Sequence, residues 1–259
     1  MTLGLSHSQR ARLGALRRYE LYGNPGTPEG RSKGGRRVSE FFRLHPQEAR
    51  RRGFISLKPI IIPARSVELA NFIGIMLGDG GIRSKYQLFV TYNSKTDKEF
   101  AAYVGKLVKR LFGMDHRLLR RKHNLGADII VSSANVVSFL LKQGLVRGDK
   151  IEQRVDIPKW VKRNADFKKA CVRGLFDTDG SLYCHRYKVS NKWYEYLKLN
   201  FTSCSKPLLQ SVHQILTDLK IKSVLKGVYI TISAQSDVNR YLATIGSSNQ
   251  KFVDRWKRF

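Results

Sequence analysis

Two short segments set 100 residues apart constrain this chain more than any other feature. "GIMLGDGG" at 74–81 and "GLFDTDGS" at 174–181 each close a mostly apolar stretch with Asp-Gly. Gly74 and Gly78 lie four apart, as do Gly174 and Thr178, and that interval returns a residue to nearly the same helix face. Small groups on those faces let two backbones approach more closely than ordinary helix packing does, with Ile75, Met76, Leu175 and Phe176 filling the flanks. Helices crossing there would bring Asp79 and Asp179 together at one end. Taken singly, each Asp-Gly is better explained by a turn that ends a helix. Their recurrence in matching contexts favours a shared site.

The surrounding pattern repeats as well. Residues 66–80 read as a helix with Ser66 as its cap, followed by strand-like "QLFVTY" at 87–92 and a helix over 96–112. Extended "HRLLRRK" at 116–122 and "ADIIVSS" at 127–133 come next, then a helix over 135–143. After a linker near "EQRVDIPKW" the order returns. A helix at 166–180 precedes "SLYCHRY", "YLKLNFTS", a helix over "KPLLQSVHQILTDL", "SVLKG", "VYITIS" and a last helix from about Asp237. The fold class is α+β, two pseudo-twofold-related α-β-β-α-β-β-α units with antiparallel sheets. The expected divisions are a basic N-terminal arm at 1–65, a first half at 66–155, a linker at 156–165 and a second half at 166–259.

Charge points to the partner. The 259 residues hold 48 Lys and Arg against 20 Asp and Glu, a formal charge of +28, which suits a chain that meets a polyanion. Nucleic acid leads. An anionic membrane ranks below it, since no apolar run reaches spanning length and no secretory leader opens the sequence. Cys171, Cys184 and Cys204 lack paired metal-ligand spacing, which argues against zinc and for an intracellular protein, in cytoplasm or organelle matrix. In the arm, the Gly and Pro clusters of "LYGNPGTPEGRSKGGRRVSE" are expected to break regular structure, leaving a short helix over 8–20. Arg31, Lys33, Arg36 and Arg37 lie in that glycine-rich track and are candidates for DNA contact, with a solvated leader as the alternative.

An anion at a helix C-terminus opposes the helix dipole by about 0.3–1 kcal/mol, and two nearby carboxylates repel. A divalent cation reverses that balance. Mg2+ accepts carboxylates, water and phosphate oxygens together and lowers the pKa of attacking water.

"FIGIMLGDG" at 72–80 and "VRGLFDTDG" at 172–180 resemble the paired signature helices of LAGLIDADG homing endonucleases, in the single-chain form with both halves in one polypeptide. The resemblance covers roughly residues 66–259. It implies that Asp79 and Asp179 are catalytic and hold divalent ions beside Gly78 and Thr178. Two or three Mg2+ ions are implied, with Mn2+ as a substitute. The earlier acid of the motif stands as Asp177 in the second copy and is replaced by Leu77 in the first, so Asp177 reads as a helix-end or interface residue. The family often adds a basic or amide side chain in each half. Tyr92 and Asn93, or Thr202, Ser203 and Cys204, stand where one is expected and supply no such group, so Lys122 and Lys226 become the candidates for steadying phosphoryl oxygens. Solvated surface positions explain both lysines equally well.

A twisted sheet with one face on helices leaves the other for a groove. Gln87, Phe89 and Thr91 share one face, with Leu88, Val90 and Tyr92 on the other. Candidates for DNA contact are Arg83, Lys85, Gln87, Arg117, Arg120 and Arg121 in the first half. His185, Arg186, Lys188, Lys198 and Asn200 serve in the second, some reading bases and more touching phosphate. Trp160, Trp193 and Trp256 read as packing residues. At the end of the chain, Ser247, Ser248 and Asn249 suit a turn or cap, and Lys251, Arg255, Lys257 and Arg258 suit phosphate. The resemblance implies a monomeric, site-specific nuclease acting on double-stranded DNA at a long target, free-standing or intron-encoded. A cofactor for intron RNA splicing and a nuclease-derived DNA-binding regulator are the competing readings.

Overall fold

The computed structural model describes residues 4–54, 57–122 and 124–259. The chain divides into two compact units, Met1–Leu57 and Lys58–Phe259. In the first, α1 (His7–Tyr22), α2 (Pro28–Leu44) and α3 (Pro46–Arg51) follow one another. α1 carries a reciprocal cap between Ser6 and Gln9.

The glycine-rich tract does not break structure as expected, because most of it lies inside α2. Pro28 occupies the helix start, where its missing N–H is no loss, and the Thr27 hydroxyl accepts from the Gly30 N–H at 3.1 Å. Gly30 is needed for close approach: a Cβ there would lie 1.6 Å from the Asn24 carbonyl oxygen. What reads as a breaker is the seat on which the α1–α2 turn rests.

The second unit begins with α4 (Val67–Leu77), β1 (Gly80–Ser84), β2 (Gln87–Asn93), α5 (Lys98–Phe112), β3 (Arg117–Arg120), β4 (Gly126–Ser132) and α6 (Ala134–Lys142). After the short α7 (Lys159–Lys162) come α8 (Ala165–Asp179), β5 (Gly180–Val189), β6 (Lys192–Thr202), α9 (Lys206–Asp218), β7 (Val224–Lys226), β8 (Tyr229–Ile232), α10 (Gln235–Thr244) and α11 (Gln250–Lys257). The two sheets have the same order, β1-β2-β4-β3 and β5-β6-β8-β7, and every pairing is antiparallel. The expected fold class is the observed one.

Two departures concern the ends of elements. α4 stops at Leu77 rather than Gly80, and Asp79 lies in the turn that leads into β1, its carbonyl accepting from the Thr91 N–H at 3.0 Å. α8, by contrast, continues through Asp179. The second departure is β5–β6, a hairpin of 10 and 11 residues where β1–β2 has 5 and 7. Ser190 and Asn191 close the long hairpin with φ of 46° and 62°, the left-handed pair that a two-residue turn requires.

Nine of the eleven residues of α4 are buried, so it has no solvent face. It packs on α8, and one continuous apolar cluster runs from Leu69 and Phe72 through Cys171 and Phe176 to Phe201 and Tyr241. The two halves therefore share a core. Trp160 is buried in it, its indole N–H donating to the Gln143 carbonyl at 3.0 Å, whereas Trp193 is largely exposed and does not pack as expected; Trp256 is partly covered.

Candidate functional site

Close contact between α4 and α8 is a property of what their side chains lack. A Cβ on Gly74 would stand 2.1 Å from the Cys171 carbonyl oxygen, and one on Gly174 would stand 2.4 Å from that of Asn71. At the far end a Cβ on Gly78 would meet Thr178 Oγ1 at 2.0 Å and Asp179 Oδ2 at 3.1 Å. The Asp179 carboxylate thus reaches across to the end of α4, one residue from Asp79. The spacing expected from sequence is what brings the acids together. Asn71 locks the other end of the crossing, donating to the Ala170 carbonyl at 3.2 Å and accepting from the Tyr103 hydroxyl at 2.8 Å.

Neither acid side chain has a hydrogen-bond donor or direct ion-pair partner among the described residues. Burial pushes the Asp179 carboxyl up to about 7, aided by the negative charge of Asp79 and opposed by Lys150. Burial also raises Asp79, with Lys150 opposing. Lys150 offsets part of that cost, and a proton or an added cation would offset the rest.

The charges that act on the acids are not those expected. Lys122 is exposed after β3 and Lys226 is exposed at the end of β7, and neither is among the charges felt by the two carboxylates. Lys150 takes that place, and Lys251 adds to it at Asp79. Lys251 pairs with Asp97 at 2.8 Å, which ties α11 to the start of α5. Lys150 was not legible in the sequence: its partners are backbone carbonyls some 70 residues earlier, and no side-chain pattern marks a backbone acceptor.

Asp177 is fully buried and serves as an anchor, in keeping with the helix-end role expected for it. Its carboxylate accepts from the Ser247 hydroxyl and, at 2.9 Å, from the Ser248 N–H, while the Asn249 amide donates to its carbonyl at 3.2 Å. Burial raises its carboxyl to about 6 against the pull of those donors. Asn249 also caps α11, its side chain accepting from the Lys251 N–H at 3.3 Å.

Register sorts the candidates for DNA contact. β2 alternates as expected, with Leu88, Val90 and Tyr92 buried and Gln87, Phe89 and Thr91 on the open face. Arg117 pairs with Ile130 and so joins Phe89 on that face. Arg83 lies over the Phe89 ring at 4.9 Å and, with Arg121, is held by the buried carboxylate of Asp128 at 3.7 and 2.8 Å. Lys85 is exposed at the β1–β2 turn.

Arg120 departs from the expectation. It pairs with Ala127, beside Tyr92, and lines the cleft against α5 with Lys106 and Lys109. In the second sheet Lys198, Asn200 and His185 share the open face, whereas Arg186 and Lys188 alternate onto the side of Leu182 and Cys184. Arg186 is paired there with Glu195 at 2.7 Å. Strand periodicity of two separates these residues, and a basic run along the sequence conceals it. In the N-terminal unit Lys33 and Arg37 donate to the Glu20 and Leu21 carbonyls, each at 3.2 Å, and so cap α1, while Arg31 and Arg36 are exposed.

No cluster of three His, Cys, Asp or Glu occurs among the described residues. A cation here would draw two carboxylates from side chains and take carbonyls, water and phosphate for the rest. That donor set suits Mg2+, which keeps several waters. All three cysteines are free, and no helix among the described residues is long and apolar enough to cross a membrane.

Residues 166–257 match the LAGLIDADG-like domain family. Among solved structures, I-DmoI in complex with DNA and Mn is 20% identical over 71% of this chain and 98% of that one, with a TM-score of 0.48. Full-length DUF199/WhiA from Thermatoga maritima is 18% identical over 75% of this chain and 61% of its own, at 0.47. The meganuclease I-SmaMI bound to uncleaveable DNA is 13% identical over 74% and 87%, at 0.48. No curated protein matches the chain.

Proposed function

From a chain whose residues 166–257 match the LAGLIDADG-like domain family, we propose a site-specific endonuclease that hydrolyses phosphodiester bonds of double-stranded DNA with divalent-cation assistance. The observation that carries this reading is the convergence of Asp79 and Asp179 at the crossing of α4 and α8, without a donor for either carboxylate. Asp79, Asp179 and the Gly78 carbonyl would hold Mg2+, which when bound neutralises phosphoryl charge and lowers the pKa of attacking water.

The chain's own contribution is placement. The crossing brings both carboxylates to one end of α4 and α8, and the buried interface between these helices holds the backbone from which they project. The open faces, with Arg83, Gln87, Arg117 and Arg121 in one half and His185, Lys198 and Asn200 in the other, supply cationic and polar groups suited to a groove. Their pseudo-twofold relation fits two strands of one duplex.

The test exposes a duplex library with long randomised sites to the protein and Mg2+, beside the variant carrying both Asp79→Asn and Asp179→Asn. One long consensus, cut by the unchanged protein alone, is expected. Equal cutting by the double variant overturns the assignment of these acids. No cutting by either, with sequence-specific binding in EDTA, turns the reading toward a DNA-binding regulator; specific binding of intron RNA turns it toward a splicing cofactor.

A further inference from the structure

Lys150 occupies an oxygen cage. Its ammonium donates to the carbonyls of Leu77 at 2.9 Å and Gly80 at 2.8 Å, and to that of Gly78, with the Met76 carbonyl at 3.5 Å. An ammonium has three protons, and four acceptors stand around this one, so none is left for water or for a carboxylate. The caged oxygens flank Asp79 on both sides in sequence. One of them, the Gly78 carbonyl, belongs to the ligand set assigned above to the divalent ion.

The placement is built rather than incidental. Lys150 lines a small cavity together with Met76, Leu77, Leu145, Val146 and Val155. The loop that carries it is closed by Asp149, whose carboxylate accepts from the Ile151 and Glu152 N–H groups at 2.6 and 3.1 Å. Gln153 ties the same loop to the Arg147 and Asp149 carbonyls at 2.7 and 3.0 Å.

We propose that Lys150 is a resident cation that competes with the first divalent ion for the Gly78 carbonyl, so that metal entry moves its ammonium out of the cage. The proposal rests on reading the acid pair as a metal centre. Without metal, the ammonium supplies positive charge near two carboxylates that no donor among the described residues bonds. When an ion enters, like charges a few ångströms apart repel strongly in a partly buried site. Lys150 then leaves, its flexible four-carbon stem allowing the ammonium to swing without backbone movement. It is a positioning residue, acting through the Gly78 carbonyl and Asp79.

Mn2+ titrated into the full chain without DNA, with free ion counted by electron paramagnetic resonance, tests this. Lys150→Met should bind its tightest ion at least about 10-fold more strongly than the unchanged protein, and Lys150→Arg should not. Equal or weaker binding by Lys150→Met overturns the proposal and leaves the metal centre standing. Absence of binding in both proteins overturns the metal centre and the proposal with it.

A second measurement needs no variant. The rate of reductive methylation at Lys150, read by mass spectrometry, should rise several-fold when Mn2+ is added to the unchanged protein. A rate that does not change means the ammonium stays caged. It overturns the exchange even if Lys150→Met binds more tightly, since removing a nearby charge would account for the tighter binding.

Discussion

Gly74 and Gly174 are the residues at which the smallest change should matter most. Adding a methyl at Gly74 puts carbon 2.1 Å from a backbone carbonyl, which has no rotamer by which to yield. Gly74→Ala should cost about 3 kcal/mol in urea unfolding, at the upper end of what overpacking does; a cost near zero would mean that the helices separate freely. Asp179 makes the second residue-scale prediction. Its carboxyl is held near 7 in the folded chain and titrates near 3.8 when unfolded, so the folded state binds the extra proton between those values. The stability of the metal-free protein should therefore fall as pH rises from about 4 to 7, and Asp179→Asn should flatten that slope in melts across the range. Mn2+ affinity should move the opposite way, rising with pH as protons cease to compete. The acids were legible in sequence because glycine spacing and Asp-Gly recur in register. Lys150 was not, because nothing in a sequence marks a lysine whose partners are main-chain oxygens.

Among the elements, the strand period of two decides which basic side chains face outward from each sheet. Alternation in β2 was correct residue by residue. Arg120, Arg186 and Lys188 were grouped with their neighbours by charge, although register puts them on the helix side. Salt dependence of duplex binding separates the two sets. Lys198→Ala, on the open face, should lower the slope of log affinity against log salt by about 0.9 if it neutralises one phosphate, and Lys188→Ala should leave it unchanged. An equal loss from both would place DNA against both faces of the long hairpin. α2 carries the opposite lesson. Each interior glycine costs a helix up to about 1 kcal/mol relative to alanine, and local composition reads accordingly as a break. The Thr27 cap, Pro28 at the first turn and the close seat of Gly30 on Asn24 offset that cost, and the last of these involves a turn that composition does not reveal.

For the whole molecule, the division between Leu57 and Lys58 and the continuous cluster beyond it make separate predictions. A chain beginning at Lys58 should fold and melt in one cooperative transition, with no step for either half, because residues of both halves fill the same core. Two resolved transitions in calorimetry would show that the halves are independent. The duplication and the crossing of its two signature helices were visible in sequence from glycine spacing, but the reach of the shared core out to Phe201 and Tyr241 was not, since apolar periodicity does not tell which strands and helices meet beyond the crossing. That core has a consequence for the cut. The separation of the two acids follows from a crossing at which Gly74 and Gly174 let main chain meet main chain and Gly78 seats against Thr178. On the proposed reading, the stagger between the two broken strands is a length gauged by the peptide backbone itself. Exchanging surface residues to retarget the protein would change where the gauge is laid, and not its length.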